Sequence, residues 1–562
     1  MTTSIFSIMT EGKRSLLAQQ LAIEVTGNNI ANVQTPGFTR QTVNLENSTP
    51  RQIGLGQLGT GVNVKSITRN FDRFVFAQTL TESTPMGNFK IRKEGFDRLE
   101  LLFNETTGRS INTEMNNLFS SFEDLAANPT GLPERTTIQG NARSLSLAFN
   151  TIGNTIFQER QNLDLMVQDT VSEINSLLSG IAQLNRTIFQ NENIGTTSTA
   201  NDLRDERDRM LKDLSQFIDA TLVDEQNNQV RLTLADGTPL VLGLTDFPLS
   251  TQLNGDNSGF KDILVSDGQN GTVNITNQIN GGKLRGLLDL RDRDVPAIKD
   301  QFDRLAAGLV REFNRVHREG FGLDGGSGRD FFTTLQPTVR SSVMNTGSAV
   351  VSMTNASPTT ASIDQYQMRF TGAGSFDLIN QTTGAASGTF VFTPGSTFNL
   401  ANGLAVTITG AAAAGDIVNF SVSEDAAAKL SLDTTIAVDG SKIAAGLNGT
   451  GDGKNATRMS QLQNDLLFDG NSLVNSGSGA FTFGEFYNSL VSGIGVDSRS
   501  IQSAVTAQEG VMLQLNNRRE SLSGVSIDEE MINLIKFQQA FAAAARLINV
   551  AEEMLDVLAN RI

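Results

Sequence analysis

Apolar residues recur every three or four positions at both ends of the chain, and this spacing predicts a long amphipathic helix at each end. In the first 31 residues the stripe includes Ile8, Leu16, Ile23 and Ile30. A run from Ser4 to Ala31 would form a helix of about 42 Å at 1.5 Å per residue.

The helix predicted from Ile527 to the chain end has the steps of three and four that are typical of a coiled-coil seam. Ser526 and Glu529 have the spacing of a capping box at its start. One seam position is polar, and a polar residue there can fix the register of a coiled coil. The predicted seam consists of Met531, Leu534, Gln538, Phe541, Ala545, Ile548, Leu555 and Leu558.

Two isolated helices bury each seam on one side only, whereas ordering about sixty residues costs on the order of 60 to 120 kcal/mol of backbone entropy. Full burial of the seam side chains would contribute roughly 15 to 45 kcal/mol. We therefore expect the two ends to gain stable structure when they stack against other copies of the chain. The alternative is that both are ordinary core helices of a globular domain.

Between the ends, helical and strand-like patterns alternate, which predicts an elongated α+β multidomain fold. A chain that leaves through helices, turns in a β module and returns through helices brings its termini together. The predicted units are a terminal coiled-coil assembly domain (1–40 with 521–562), an extended or β linker (41–86), a mainly helical domain (87–336 with 425–520) that contains a β insertion (221–288), and a β-rich outer domain (337–424).

Composition excludes several classes of function. The 562 residues carry a net charge of -16, the wrong sign for a protein that binds a nucleic-acid backbone. The chain has no cysteine, which excludes disulfides, thiol nucleophiles and Cys-ligated metals. Its single histidine, His317, lies in a charged helical stretch and is predicted to be a surface or capping residue.

Motif-like stretches do not assemble into a catalytic, cofactor or metal site. Gly54, Gly56 and Gly59 match a dinucleotide fingerprint, but a strand pattern follows where the fingerprint needs a helix. Residues 451–454 are similar to part of a phosphate loop, but Asn448 stands at the position of its first glycine and Asn455 at that of its Ser/Thr. Acidic clusters around residues 202–208 and 289–294 alternate with arginines, as on solvated helix faces. We therefore predict no enzyme activity and no cofactor.

No apolar run reaches the roughly 18 residues that a membrane-spanning helix requires. Charged residues at positions 11, 13 and 14 interrupt what would be the apolar core of a secretory signal. The protein is therefore expected either to be cytoplasmic or to leave the cell by a route that removes no signal peptide.

The most informative segment follows the first helix and extends from Asn28 to Gln41. Asn32 can close the helix, and Pro36 with Gly37 can occupy the central positions of a type II turn. The residues of interest are Asn28, Asn29, Ala31, Asn32, Thr35, Pro36, Gly37, Phe38 and Arg40.

This segment resembles the amino-terminal signature of the axial proteins of the bacterial flagellum, in which an Asn-Asn-Ile-Ala-Asn helix end precedes a Thr-Pro-Gly-aromatic turn. Phe38 stands where that family usually has tyrosine. The final helix, with Phe537 to Phe541, is similar to the terminal helix of the same family. Within it, residues 281–289 and 451–456 resemble the hook-associated members more than the hook or rod proteins.

The resemblance implies a structural subunit at the junction of hook and filament, exported by the flagellar type III apparatus to the outside of the cell. Implied partners are copies of itself, hook protein, the next hook-associated junction protein, and an export chaperone that binds Met531 to Leu558. Hook protein is the nearest alternative within the family. Outside it, a secreted cell-wall glycan hydrolase or an adhesin remain the competing classes.

Overall fold

A computed structural model describes residues 2–53, 56–103, 110–192, 199–226, 229–269, 271–474 and 477–559. It confirms the α+β class with long helices at both ends. The first helix, α1 (Thr2–Ala31), and the last, α12 (Ile527–Ala559), run antiparallel and pack along each other. The two ends of the sequence therefore lie side by side.

A narrow antiparallel ribbon follows α1 and consists of β1 (Gln41–Asn47) and β4 (Val62–Arg69). Between them, β2 (Arg51–Ile53) pairs with β3 (Gly56–Leu58). Gly56 and Gly59 of the dinucleotide-like pattern thus belong to a strand hairpin and its flank, whereas Gly54 lies outside the described residues.

Helix α2 (Arg73–Leu102) begins earlier than the sequence predicts. The expectation of an extended segment as far as residue 86 is wrong for residues 73–86, which form the first half of this helix. Pro85 lies inside it, and packing against α11 (Phe483–Ser523) and α6 (Gly282–Asp289) outweighs the helix-breaking tendency of proline. Asp72 caps the helix by accepting from the N–H groups of Phe74 and Val75.

The helical body is built on one very long helix, α4, against which most other helices pack. Its core contains a cluster of buried phenylalanines whose rings contact one another at centroid distances of 4.8 to 6.0 Å, among them Phe122, Phe313, Phe331 and Phe332. Helix α4 spans Leu132–Asn191. Other long helices of this body are α3 (Ile111–Ala127), α5 (Asn201–Phe217) and α7 (Val295–Glu319).

Two small sheets form the β insertion in this body. The first has the order β5-β6-β7-β8 and the second the order β11-β10-β9. The expected β character as far as residue 288 is wrong for residues 282–288, which form α6 and lead through a π-helical turn (Leu290–Asp294) into α7. The strands are β5 (Thr221–Gln226), β6 (Gln229–Thr233), β7 (Pro239–Leu242), β8 (Thr245–Asp246), β9 (Leu249–Leu253), β10 (Lys261–Ser266) and β11 (Thr272–Asn274).

The outer β region contains a five-stranded antiparallel sheet, β12-β19-β14-β15-β16, and a three-stranded one, β13-β18-β17. Alternate residues of β14 and β15 are buried, as expected for strands with one face on a core. Its strands are β12 (Thr338–Ser341), β13 (Val350–Asn355), β14 (Gln365–Gly372), β15 (Ser375–Asn380), β16 (Ala386–Val391), β17 (Thr397–Asn399), β18 (Leu404–Thr409) and β19 (Ile417–Ser421).

The return from the outer region is less helical than predicted. Residues 425–482 form short elements, because glycine, asparagine and serine interrupt every helical run before the long α11. These elements are α8 (Ala426–Lys429), α9 (Thr434–Val438), a 3₁₀ turn (Gly440–Lys442), α10 (Lys454–Gln461), β20 (Phe468–Asp469) and β21 (Ser472–Leu473).

His317 is fully buried, so the prediction of a surface or capping histidine is wrong. Its Nδ1 lies 2.8 Å from the carbonyl oxygen of Arg329, and its Nε2 accepts from the N–H of Ala444 at 2.9 Å. Burial lowers the pKa of His317 to about 4. The ring is therefore neutral at pH 7, and it ties the end of α7 to the segment that returns from the outer β region.

Candidate functional site: the joint of the two chain ends

The candidate site is the helix pair α1–α12 together with the turn that follows α1. Two pairs of neighbouring residues define the antiparallel register. Gly12 lies so close to Ile548 that a Cβ at position 12 would be 2.7 Å from the Ile548 side chain, and Asn29 donates to Glu530. Small residues on α1 permit this close approach, since Gly12, Ala18 and Ala22 are all buried.

Only part of the predicted seam lies on the stripe of α12 that faces α1. Leu534, Phe541, Ile548 and Leu555 are half-buried, as is Ala545. The buried residues of α12 are Glu530 and Ala544, each one residue before a predicted seam position, and Ala551, which has no predicted neighbour of this kind. Met531 and Gln538 are exposed and lie outside this stripe, and the side chain of Leu558 lies outside the described residues.

On α1 the predicted residues flank the buried stripe. Ile8, Leu16, Ile23 and Ile30 are half-buried. The buried positions of the helix are Ile5, Gly12, Ala18, Ala22, Val25, Thr26 and Asn29. The two helices of a single chain thus pack against each other along one face.

The rest of the pair exposes large apolar side chains to solvent, and this surface is called the open face below. Phe6 and Leu17 are eleven residues apart, three helical turns, and so lie on the same side of α1. The members on α12 are Ile527, Met531, Ile532, Ile535, Leu547, Val550, Met554 and Val557.

The segment after α1 has the turn that the sequence predicts. Asn32 binds the carbonyl of Asn28 through both its backbone N–H, at 3.1 Å, and its side chain, at 3.0 Å, and so closes the helix. The N–H of Phe38 donates to the carbonyl of Thr35 at 3.2 Å, with Pro36 and Gly37 at the centre. Gly37 has a φ of +87°, which a type II turn requires at this position. Asn28, Ala31, Thr35 and Pro36 are exposed, and Phe38 is half-buried.

Arg40 and Asn29 bind the start of α12. The Glu530 carboxylate accepts from Arg40 Nε at 2.8 Å and from Asn29 Nδ2 at 2.9 Å, and its side chain is only 3% exposed. Arg40 Nη1 also donates to the exposed Glu529 at 2.9 Å. Asn29 makes two bonds with the backbone of Gln41, at 2.8 and 3.0 Å. Glu529 therefore interacts with Arg40, in addition to having the capping-box spacing to Ser526.

On its other side the same segment binds α5. The N–H of Thr39 donates to Asp205 at 2.9 Å, and the Gln41 amide donates to Asp202 at 2.8 Å. Arg69 at the end of β4 donates to Asp205 at 2.6 Å and lies 2.7 Å from Asp208. Burial raises the pKa of both carboxyls, although Arg69 opposes the shift.

Two cavities border the turn. One, of about 470 Å³, lies between the turn, α2, α5 and α11, and the other, of about 270 Å³, lies between the turn and α5. Cations and carboxylates alternate around them, including Arg209, Lys212 and Asp213 in the larger one. In the described part of the chain, no group of three or more acidic or histidine side chains could hold a metal ion.

Sequence reasoning found the turn but missed its acidic partners. Asp202, Asp205 and Asp208 follow a three-residue spacing on α5 and so share one face, a signal that the sequence contains. Their alternation with arginines suggested a solvated surface instead. Nothing in the sequence indicated that Glu530 would be buried against Arg40 and Asn29.

Across the helices that the structure describes, none is both long enough and apolar enough to cross a lipid bilayer.

Three flagellar families match separate parts of this chain. The family described as "Flagellar hook-associated protein FlgK helical domain" matches residues 96–332, which include most of the helical body. The family "Flagella basal body rod protein" matches residues 13–39, and "Flagellar basal body rod FlgEFG protein C-terminal" matches residues 519–562. The last two matches coincide with the joint described above.

The two relatives described next match this chain over nearly its full length and have the same name. The chain is 28% identical to flagellar hook-associated protein 1 of Escherichia coli over 559 residues, which is 99% of each chain. It is 25% identical to the Bacillus subtilis protein of the same name over 589 residues, 99% of this chain and 98% of the relative. A solved structure, the flagellar hook junction protein FlgK from Burkholderia pseudomallei, has the same fold with a TM-score of 0.68 at 21% identity, covering 80% of this chain and all of that one. Over its full length the chain is thus similar to flagellar hook-associated protein 1.

Proposed function

We propose that this chain is a structural subunit of the bacterial flagellum at the junction of hook and filament, and that it assembles through the open face of its terminal helix pair. The observation that carries this proposal is that face. The chain leaves ten large apolar side chains of α1 and α12 exposed beside a seam that is already closed. A monomer gains nothing from such a surface, whereas a stack of subunits buries it.

The size of this surface is sufficient for assembly. Ten side chains that are each roughly half exposed would contribute on the order of 10 kcal/mol on complete burial. Because the two helices are already paired within one chain, most of the ordering entropy does not oppose association. The open face therefore supports contacts between neighbouring subunits.

The partners follow from the family. We propose that the open face contacts other copies of the chain, hook protein on one side and the next hook-associated protein on the other. We also propose export through the flagellar type III apparatus without a cleaved signal, and binding of an export chaperone to the segment from Met531 to Leu558. Exposed apolar residues of α12, such as Ile535 and Val550, support the chaperone site because they need cover before assembly.

Removal of the terminal pair tests the proposal. A chain that lacks Met1 to Ala31 and Asp528 to Ile562 should keep its folded body and lose all ability to polymerise. Sedimentation of the full-length and truncated proteins under the same assembly conditions measures this. Assembly of the truncated protein at the level of the full chain would disprove the role given to the ends.

A further inference from the structure

The strand-like segment Thr39 to Gln41 lies between two carboxylates from distant parts of the chain. Glu530 belongs to α12, and Asp205 belongs to α5 of the helical body. The segment thus touches the terminal pair on one side and the body on the other.

Both carboxylates are buried and use each of their oxygens. Glu530 Oε1 accepts from Arg40 and Oε2 from Asn29. Asp205 Oδ2 accepts from the Thr39 N–H and Oδ1 from Arg69. Hydrogen bonds to buried charges are strong and directional, so the bonds from Arg40 and Thr39 restrict how the segment can rotate. The bonds from Asn29 and Arg69 hold the two carboxylates in place.

The backbone of Arg40 makes two more connections. Its N–H donates to the carbonyl of Ser523, the last residue of α11, at 2.9 Å. Its carbonyl accepts from the N–H of Asn70, just after β4, at 2.8 Å. One residue therefore contacts the end of α11, the start of α12 and the ribbon.

Open space borders the turn beside this segment. The cavities of about 470 and 270 Å³ flank the turn, and Asp205 borders both. The covalent connections are short non-helical stretches, residues 32–40 and 524–526. Neither stretch by itself fixes an angle between helices. Helix α1 also packs on β1 and β4 of the ribbon, and the polar contacts around Arg40 connect α12 to this same region.

We propose that Arg40 is a positioning residue that, through Glu530, fixes the direction of the terminal helix pair relative to the helical body. The inference goes beyond the proposed function, since it concerns the geometry of a single chain. In an assembled junction the same contact would set the angle at which the body projects from the paired helices.

The absence of cysteine makes the angle measurable. Thr10→Cys near the tip of α1 and Ser172→Cys on the exposed side of α4 provide two spin-label sites on opposite sides of the joint. Thr10 is 21 residues from the end of α1, a lever of about 32 Å at 1.5 Å per residue. A rotation of roughly 15° at the joint moves this label by about 8 Å on that lever.

Pulsed electron–electron double resonance on the dilute, full-length monomer gives the distance distribution between the two spin labels. The parent should show one narrow distribution, and Glu529→Gln, which alters the exposed partner of Arg40, should match it. Arg40→Gln and Glu530→Gln should each broaden the distribution or displace it by about 8 Å or more on that lever. Circular dichroism should show unchanged helix content in all four proteins.

Distributions in Arg40→Gln and Glu530→Gln that coincide with the parent would overturn the proposal. A loss of helix content in these two variants would also overturn it, because the contact would then be needed to form the pair and not to direct it. Because the measurement uses monomers, its outcome is independent of whether the open face drives assembly.

Discussion

Helices α7 and α12 are both rich in apolar residues, yet the folded chain buries most of α7 and leaves most of α12 at least partly exposed. Most of the 25 residues of α7 are buried, including Phe302 and Phe313. Of the described side chains of α12, only Glu530, Ala544 and Ala551 are buried. Apolar content does not explain the difference, because α12 is the more apolar of the two helices. The body buries its apolar side chains within one chain, whereas the terminal pair leaves an apolar face exposed.

The comparison predicts the largest effect for charges placed on the open face. Leu547→Glu combined with Val550→Glu should reduce assembly by more than 100-fold, because each buried unpaired charge costs several kcal/mol. Sedimentation measures the assembled fraction. Leu132→Glu is the control, on an α4 leucine that is 61% exposed against 44% for Leu547, and it should assemble normally. Equal loss in both variants would remove the distinction between the terminal pair and the body.

A cavity in the body should lower stability without a direct effect on assembly. Phe313 is fully buried and contacts four other phenylalanine rings, so Phe313→Ala should lower the free energy of unfolding by about 3 to 5 kcal/mol. Urea denaturation measures this value. Phe6→Ala, on the exposed face of α1, should change it by less than about 0.5 kcal/mol. Similar losses of unfolding free energy in the two variants would contradict the contrast between the buried body and the exposed face of the terminal pair.

Acid should weaken the body through His317. Its folded pKa of about 4 lies below the unfolded value of 6.5, so only the unfolded chain takes up this proton between those pH values. The stabilising contribution is present above pH 6.5 and is lost as the pH falls toward 4, a total of about 3 kcal/mol.

His317→Gln removes this proton uptake. The stability difference between the parent and the variant, measured by urea denaturation, should therefore shrink as the pH falls from 7 to 4.5. A difference that stays constant over this range would show that the ring does not titrate in the unfolded chain alone.

The smallest effect is expected at the joint's exposed ion pair. The Glu529 side chain is 63% exposed, so Glu529→Gln should lower the free energy of unfolding by at most about 1 kcal/mol. Thermal or urea denaturation of the parent and the variant measures this change in the free energy of unfolding. A loss above about 2 kcal/mol would mean that Glu529, and not the buried Glu530, makes the important contact with Arg40.

Local chemistry made the joint's turn predictable from the sequence. Asn32, Pro36 and Gly37 each have a strong conformational preference, and the structure uses each preference where the sequence places it. The two long terminal helices were likewise evident from their spacing. Their contact stripe was only half correct, since α12 carries apolar residues on more than one stripe, and spacing cannot say which stripe faces α1.

Long-range contacts were not predictable. Glu530 is separated from Asn29 by 501 residues, and no local preference indicates that it is buried. His317 was assigned to the surface because its neighbours are charged, whereas its own position on α7 faces the core. The predicted boundary at residue 86 missed the start of α2 at Arg73, where packing outweighs the cost of Pro85 inside the helix.

The most direct test of the central claim is cross-linking between copies in intact flagella. Since the chain has no cysteine, Leu547→Cys and Leu132→Cys each introduce one thiol, the first on the open face and the second on the body. Mild oxidation should join neighbouring subunits through residue 547 and leave residue 132 unreacted. Dimers through residue 132 with none through residue 547 would contradict the account.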